Sequence, residues 1–299
     1  YPVQVPSTVL TGLVANKIYP NPYDGMNNMF IPDASDTFNQ KFDLAKYSHI
    51  PGVANPWKKG YWYRTSFNVP QADNGKLFQL IFKGINYRAD VWLNGVLLAD
   101  SSMMVGMFAE FVLDASKAIK TGAENYLAIK IYPLDFPGEP DHPQTEALGD
   151  FYLNGGPTGD IGKNVTMLCS VGWDWMPAVR DRNMGIWQPV YLRSTGKIVI
   201  NTPRVATSFL SETDTSKAKL DIQVGLKNFS DKKENGKLSI TISPETFQGT
   251  AFTISNNFSL DANEKKELQF DEAAFKQLLI QNPHIWWPHG YGKADLYRI

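Results

Sequence analysis

The sequence contains one cysteine, Cys169, among 299 residues. A single thiol cannot form an internal disulfide, and it leaves no pair of cysteines that could hold zinc. We therefore interpret Cys169 as a small buried apolar residue rather than as a reactive thiol. The four histidines show no metal-ligand spacing along the chain, so the sequence indicates neither a metal site nor a cofactor.

Excess charge and long apolar runs are also lacking. The formal net charge is −1, which gives no general attraction to nucleic-acid phosphates or to an anionic membrane. No apolar stretch approaches the ~20 residues that span a bilayer, and the opening YPVQVPSTVL has no signal-peptide pattern. We expect no nucleic-acid partner and no membrane partner. A lone cysteine fits a periplasmic or extracellular bacterial protein, which is the location we expect.

What the sequence does contain is a series of short segments rich in β-branched and aromatic residues, which predict strands. In the first part of the chain these segments are YWYRTSFNV (61–69), KLFQLIF (76–82), ADVWLNGVLL (89–98), NYLAIKIYP (125–133) and GIWQPVYL (185–192). The pair Asn94-Gly95 predicts a two-residue hairpin, because a type I′ turn needs positive φ at both central positions. A short helix is expected near residues 8–15.

The second part of the chain continues with alternating strands at intervals typical of a sandwich. These strands are LDIQVGLKNF, KLSITISP, AFTISNNFSL and KKELQF, and DEAAFKQLLI (271–280) predicts a short helix or crossover. The pattern predicts an all-β protein with two domains: the texture changes after Leu192, and the second block of strands runs from Pro203 to Ile299. The second domain has immunoglobulin-like character without the paired cysteines of antibody domains.

Between the two predicted strands of 125–133 and 185–192 lies a stretch without helical or strand periodicity. Residues 133–164 carry six acidic residues against one lysine. A loop of this length inside a domain is usually functional or disordered. The sequence leaves open whether it is a solvated acidic loop or part of a ligand site.

The segment GWDWMPAVRDRNMGIWQPVYL (172–192) combines aromatic and charged side chains. Aromatic rings pack on apolar surfaces such as the C–H faces of sugars, and carboxylates form charge-assisted hydrogen bonds with hydroxyls. Trp173, Asp174 and Trp175 are therefore candidate substrate-binding residues. In an extended segment Asp174 would face away from both tryptophans. We place Asp174 on the ligand and leave open whether the tryptophans contact it or belong to the core.

The next residues, Arg180, Asp181, Arg182 and Asn183, form a polar hinge. We interpret them as an internal salt bridge that fixes a loop. Such a bridge is compatible with a role in orienting an adjacent site, so the two interpretations do not exclude each other.

Six segments together resemble the N-terminal domains of glycoside hydrolase family 2. In chain order they are VPSTVLTGLVANKIYPNPYDGMNN, GYWYRTSFNVP, FKGINYRADVWLNGVLLAD, GMFAEFVLD, GWDWMPAVRDRNMGIWQPVYL and WWPHGYGKADLY. They cover nearly the whole chain in the family's order and are most similar to its exo-β-glucosaminidase and β-mannosidase branches. The resemblance implies a jelly-roll sugar-binding domain over residues 1–198, followed by an immunoglobulin-like β-sandwich over residues 199–299.

In this family a (β/α)8 barrel with both catalytic glutamates comes next, and that barrel is absent from this chain. The resemblance therefore implies no catalytic residue here, and we expect the fragment alone to be inactive. Its partners would be the catalytic barrel of the same polypeptide and a β-linked glucosamine or mannose substrate. The family's aspartate that contacts the terminal sugar corresponds to Asp174, whereas Asn86, Tyr87, Arg88 and Asp90 match a strand motif that we interpret as structural.

Two other functions remain open at this point. The chain could be a stand-alone carbohydrate-binding protein without catalysis, or a pair of structural sandwiches used for adhesion or assembly. Both ends look truncated, which favours the glycosidase.

Overall fold

The computed structural model describes residues 1–34, 55–135, 164–167, 179–211 and 213–299. These residues form two compact units, 1–194 and 195–299. Strands dominate both units and do not close into a barrel within the described residues, which confirms the all-β class. The second unit begins four residues before the domain boundary suggested by the sequence, because the strand Ile198–Ile200 pairs with another strand of that unit.

The strands that begin in the first unit form two main antiparallel sheets and one short pair. In chain order they are β1 (Ser7–Thr8), β2 (Tyr61–Val69), β3 (Leu77–Phe82), β4 (Arg88–Leu93), β5 (Val96–Ala99), β6 (Phe111–Asp114), β7 (Ala123–Tyr132), β8 (Gly185–Ile186) and β9 (Val190–Thr195). The four-stranded sheet has the order β2-β7-β4-β5, and the three-stranded sheet has the order β6-β3-β9. Strand β1 pairs with β8.

The core of the first unit follows from alternation along the strands. In β4, Ala89, Val91 and Leu93 are buried while the residues between them are partly exposed. In β7 the alternate residues Leu127 and Ile129 are buried in the same cluster. Because side chains alternate between the two faces of a strand, this period of two gives one apolar face to the core.

Two local predictions are confirmed in this unit. Helix α1 spans Val9–Ala15, and the Thr8 side chain caps it by accepting a hydrogen bond from the Thr11 N–H at 3.2 Å. The turn between β4 and β5 has φ of 52° at Asn94 and 84° at Gly95, as the hairpin requires.

The prediction of one continuous strand over 185–192 is wrong. The structure has two pieces, β8 and β9, separated by three residues that include Pro189. Proline has no N–H to donate to a ladder, which restricts it to edges and breaks of sheets. The chain therefore leaves the β1–β8 pair and enters a different sheet at this point.

Gly185 in β8 is a position where any side chain should be costly. Its φ is +151°, and a Cβ atom there would lie 2.6 Å from the Ser7 carbonyl oxygen and 2.7 Å from the Thr8 Cα. We expect Gly185→Ala to lower the free energy of unfolding by about 2–3 kcal/mol, because it adds backbone strain and overpacking. Urea denaturation measures this loss.

The matched control is Gly95→Ala, which also has positive φ but has no atom within 4 Å of the added Cβ. Backbone strain alone should cost about 1 kcal/mol there. Equal losses at the two glycines would contradict the argument from the close approach of β1.

The second unit contains two further sheets. Its strands are β10 (Ile198–Ile200), β11 (Arg204–Phe209), β12 (Lys217–Asn228), β13 (Glu234–Pro244), β14 (Phe252–Leu260), β15 (Lys265–Phe270), β16 (Leu279–Gln281) and β17 (Tyr297–Arg298). Strand β12 pairs with β10, β11, β15 and β16, and the smaller sheet has the order β14-β13-β17. Residues 271–280 form no α-helix: a 3-10 turn at Lys276–Leu278 leads directly into β16.

Candidate functional site

The three predicted substrate-binding residues, Trp173, Asp174 and Trp175, lie outside the described residues. The structure does describe the chain from residue 179 onward, and residues 179–194 belong to the first unit. The candidate site therefore consists of residues 180–183, which follow the undescribed segment, and of the residues that contact them.

A buried ion cluster lies directly after the undescribed segment. The Asp33 carboxylate, which has no exposed surface, accepts hydrogen bonds from Arg180 Nη1 at 2.9 Å and from Arg182 Nη2 at 2.8 Å. Arg182 Nη1 donates to the same carboxylate at 3.0 Å. The internal salt bridge predicted for the polar hinge is thus present, and the acid that forms it is Asp33.

Sequence reasoning did not find Asp33. It lies 147 residues before Arg180, in a lead-in without strand or helical periodicity, and nothing local distinguishes it from its acidic neighbours. Its role depends on tertiary structure: the Ala34 N–H also donates to the Arg180 carbonyl oxygen at 2.9 Å, so backbone and side chains join the two segments together.

Asp181 has a different function from its two arginine neighbours. Its buried carboxylate accepts the N–H of Leu10, in the first turn of α1, at 2.8 Å and the N–H of Asn183 at 2.9 Å. Burial raises the pKa of the Asp181 carboxyl from its ordinary value of 3.8 to about 6, and the two backbone donors act in the opposite direction. The hinge is therefore fastened to α1 as well as to Asp33.

This pKa shift has a consequence for stability. Between about pH 4 and pH 6, folded Asp181 holds a proton that the unfolded chain has lost, so its stabilising contribution is full below this window and is lost as pH rises through it. We expect the unfolding free energy of the wild type minus that of Asp181→Asn to fall by about 2–3 kcal/mol from about pH 4 to pH 7.

Urea denaturation of both proteins across this pH range measures the difference. Subtracting the variant removes the contribution of the other carboxyl groups, which are common to both proteins. A difference that stays constant or rises with pH would contradict the assigned shift.

A second set of contacts joins the hinge to the start of β4. Arg182 and Asn183 have φ of 51° and 59°, and their carbonyl oxygens accept hydrogen bonds from Asn86 Nδ2 at 2.8 and 3.1 Å. The backbone of Asn86 also pairs with Gly185, with both N–H···O distances at 2.8 Å. Asn86 therefore ties the hinge to the four-stranded sheet, which supports its interpretation as structural.

Arg88 and Asp90, at the same end of β4, also make structural contacts. Arg88 Nε donates to Asp135 Oδ1 at 3.0 Å, and this bond lowers the pKa of the Asp135 carboxyl. Asp90 accepts hydrogen bonds from the Tyr132 hydroxyl and the Ser101 N–H, both at 2.6 Å. These contacts hold the end of β7 against the start of β4.

The described ends of three undescribed ranges meet in this region. Ala34, which precedes residues 35–54, bonds to Arg180, and Asn55, which follows them, donates to the Ala34 carbonyl oxygen at 3.2 Å. Asp135, which precedes residues 136–163, accepts from Asn164 Nδ2 at 3.5 Å. Asp135 follows the end of β7, which pairs with the starts of both β2 and β4. Asn86, just before β4, bonds to the hinge that contains Arg180, and Asn55 lies shortly before β2, so these anchor points are attached to one end of the four-stranded sheet.

Metal-ligand clusters and membrane-spanning helices are both absent from the described part of the chain. No group of three or more His, Cys, Asp or Glu side chains there is arranged to hold a metal ion. None of the described helices is long and apolar enough to cross a membrane.

Comparison with known proteins shows the family. Residues 53–188 match the glycosyl hydrolase 2 galactose-binding-like domain, and residues 198–299 match the model of glycosyl hydrolases family 2. Mannosylglycoprotein endo-β-mannosidase from Lilium longiflorum is 31% identical over 303 residues, covering 99% of this chain and 27% of the relative. Exo-β-D-glucosaminidase from Amycolatopsis orientalis is 28% identical over 300 residues, covering 100% of this chain and 23% of the relative.

A solved structure agrees with these relatives. The Amycolatopsis orientalis exo-chitosanase in complex with PNP-β-D-glucosamine is 25% identical, with a TM-score of 0.64, over 98% of this chain and 27% of that chain. The chain thus spans about a quarter of the length of the curated relatives it matches. Its two units carry the two family models in succession, and the chain belongs to glycoside hydrolase family 2.

Proposed function

We propose that this chain is the N-terminal, non-catalytic part of a retaining β-glycosidase that acts on β-linked glucosamine or mannose units. One observation carries the proposal: both units match, in order, an endo-β-mannosidase and an exo-β-D-glucosaminidase of which they cover 27% and 23%. In this proposal the chain shapes the sugar pocket of a catalytic barrel in the same polypeptide, and the isolated 299 residues are inactive.

The geometry supports a pocket-shaping function for one end of the first unit. The segment that contains Asp174 rejoins the described chain at a buried cluster in which Arg180 and Arg182 share Asp33. Breaking such a buried ion pair is strongly destabilising. The intact cluster therefore fixes the adjacent backbone in one position. We infer that this end of the four-stranded sheet faces the substrate.

The proposed chemistry divides between the two parts of the enzyme. A retaining glycosidase needs an acid/base and a nucleophile about 5–5.5 Å apart, and the barrel would supply both. Asp174 would serve recognition, by accepting a hydrogen bond from a sugar hydroxyl or by pairing with the ammonium group of glucosamine. Trp173 and Trp175 would add aromatic surface beside it.

A hydrolysis panel on the full-length protein tests the proposal. The substrates are chromogenic β-glycosides of glucosamine, mannose, galactose and glucuronic acid. We expect cleavage of the glucosaminide or the mannoside, and the one cleaved faster identifies the branch. A folded protein that cleaves none of the four, and that also fails to cleave internal β-linkages of mannan or chitosan, would contradict the proposed function.

A further inference from the structure

The outer face of the four-stranded sheet carries two tryptophans that lie side by side. Trp62 of β2 pairs with Lys130 of β7. Trp92 of β4 pairs with Ala128, on the other side of β7. Directly opposed residues share a face, as do residues two apart on one strand, and the intervening Ile129 is buried in the core. The two indole rings therefore meet on the face that points away from the core, with 5.2 Å between their centroids.

These rings are exposed to solvent. Trp62 is 55% exposed, and Trp92 is partly exposed. Tyr126, four residues before Lys130 on the same face of β7, is 60% exposed. We call the surface formed by Trp62, Trp92 and Tyr126 the tryptophan platform. From Tyr126 to Lys130 the strand rises about 13 Å, so the platform is long enough for more than one pyranose ring.

Hydrogen-bonding groups lie between and beside the rings. Lys130 Nζ lies 5.8 Å from the centroid of the Trp62 ring and 4.7 Å from that of Tyr132. Arg64, two residues after Trp62 on the same face of β2, is exposed. Sugar recognition combines flat rings for C–H faces with polar groups for hydroxyls, whereas the centre of a protein interface is depleted of charged residues. The tryptophan platform therefore fits a sugar chain better than a protein.

The charges on this face distinguish between sugar chains. Lys130 and Arg64 place two positive charges beside the rings. The Asp90 carboxylate already accepts hydrogen bonds from the Tyr132 hydroxyl and the Ser101 N–H. Like charges brought together are unfavourable and reject the wrong ligand. Chitosan, a chain of glucosamine units that carry ammonium groups, is therefore disfavoured relative to an uncharged chain such as β-mannan.

We propose that the tryptophan platform binds an uncharged chain of β-linked pyranose rings, whose C–H faces stack on Trp62 and Trp92. The platform begins at the end of the sheet to which the hinge is attached, because Trp62 is the second residue of β2 and Lys130 lies two residues before the end of β7. A polymer bound at that end has the platform beside it. The proposal deepens the proposed function, on which it rests for the class of substrate, by assigning a polymeric and uncharged substrate.

Binding of the full-length protein to insoluble β-mannan tests the proposal. Depletion of the protein from solution, measured on ice, gives the dissociation constant without a catalytic readout. We expect Trp62→Ala to weaken binding about five- to tenfold, because one stacking ring is lost. Trp62→Phe keeps a ring and should retain most of the affinity. The matched control is Tyr191→Ala, which removes a 51% exposed ring from β9 in the other sheet and should change nothing.

The same measurement on chitosan tests the charge argument. At mildly acidic pH, where the amines of chitosan are protonated, Trp62→Ala should change its dissociation constant less than about twofold, since Lys130 and Arg64 keep this chain off the rings. Comparing each polymer with and without the Trp62 ring removes any binding at other sites. An equal loss on chitosan and mannan would overturn the assignment to an uncharged chain.

Three other results would overturn the proposal. They are a wild type that does not bind mannan, a Trp62→Ala variant that binds it as tightly as the wild type, and a dimer in sedimentation equilibrium that dissociates in Trp62→Ala. The last result would assign this face to a second copy of the protein. Trp62→Ala should leave kcat/KM for the small chromogenic glycosides unchanged, and the hydrolysis panel is read independently, so the activity and the platform can fail separately.

Discussion

Asp33→Ala is expected to lower the free energy of unfolding by about 3–5 kcal/mol, the largest loss among the substitutions considered for the first unit. The variant leaves the buried guanidinium groups of Arg180 and Arg182 without the carboxylate to which they both donate. Removing one partner of a buried ion pair is strongly destabilising, because the low-dielectric interior solvates the remaining charge poorly. Urea denaturation followed by circular dichroism measures the loss.

The control for this substitution is a surface ion pair in the same unit. Lys83 and Glu110 form a salt bridge in which both side chains are about half exposed. We expect Glu110→Ala to cost no more than about 1 kcal/mol, since solvent and salt screen such pairs. If Asp33→Ala cost as little as Glu110→Ala, the buried cluster would not be what holds the hinge in place.

Asp174→Asn in the full-length enzyme is expected to reduce kcat/KM for a β-glucosaminide by about 30- to 1,000-fold, which corresponds to the loss of a desolvated charge pair. For a β-mannoside, which has no ammonium group, we expect a loss of about five- to tenfold from one weakened hydrogen bond. Steady-state kinetics with both chromogenic substrates measure the two losses. The expectation rests on the proposed contact between Asp174 and the sugar.

Asp73→Asn is the matched control, because it makes the same chemical change at the exposed ion pair with Lys76. It should leave both kinetic constants unchanged. Equal losses of kcat/KM on the two substrates for Asp174→Asn would refute the argument from charge and leave only a neutral hydrogen bond. No loss on either substrate would remove Asp174 from the pocket.

Strands and turns could be predicted from the sequence because their signals are local. The segment 61–69 alternates and carries β-branched and aromatic residues, and β2 spans Tyr61–Val69 as a result. Asn94-Gly95 needed only the conformational preferences of two residues to predict the turn. Local signals failed where two effects competed: residues 185–192 have strand composition, but Pro189 divides them between two sheets.

The candidate site was only partly predictable, because its key contacts join distant parts of the chain. The sequence indicated an internal salt bridge in the polar hinge of residues 180–183, because arginines and an aspartate adjoin there. It could not indicate that the partner is Asp33 rather than the adjacent Asp181. Which acid pairs with the arginines depends on the tertiary structure that brings Ala34 beside Arg180. No periodicity in the sequence indicates that contact.

The bond from the Leu10 N–H to Asp181 spans 171 residues, and this has a consequence for synthesis on the ribosome. At a translation rate of about 5–20 residues per second, roughly 10–30 s pass between the synthesis of α1 and the synthesis of Asp181. Until then Val9 and Leu13, buried in the finished unit, have no completed core to enter. The nascent first unit is therefore expected to expose apolar surface that chaperones can bind, and to become resistant to protease only when translation has passed the hinge.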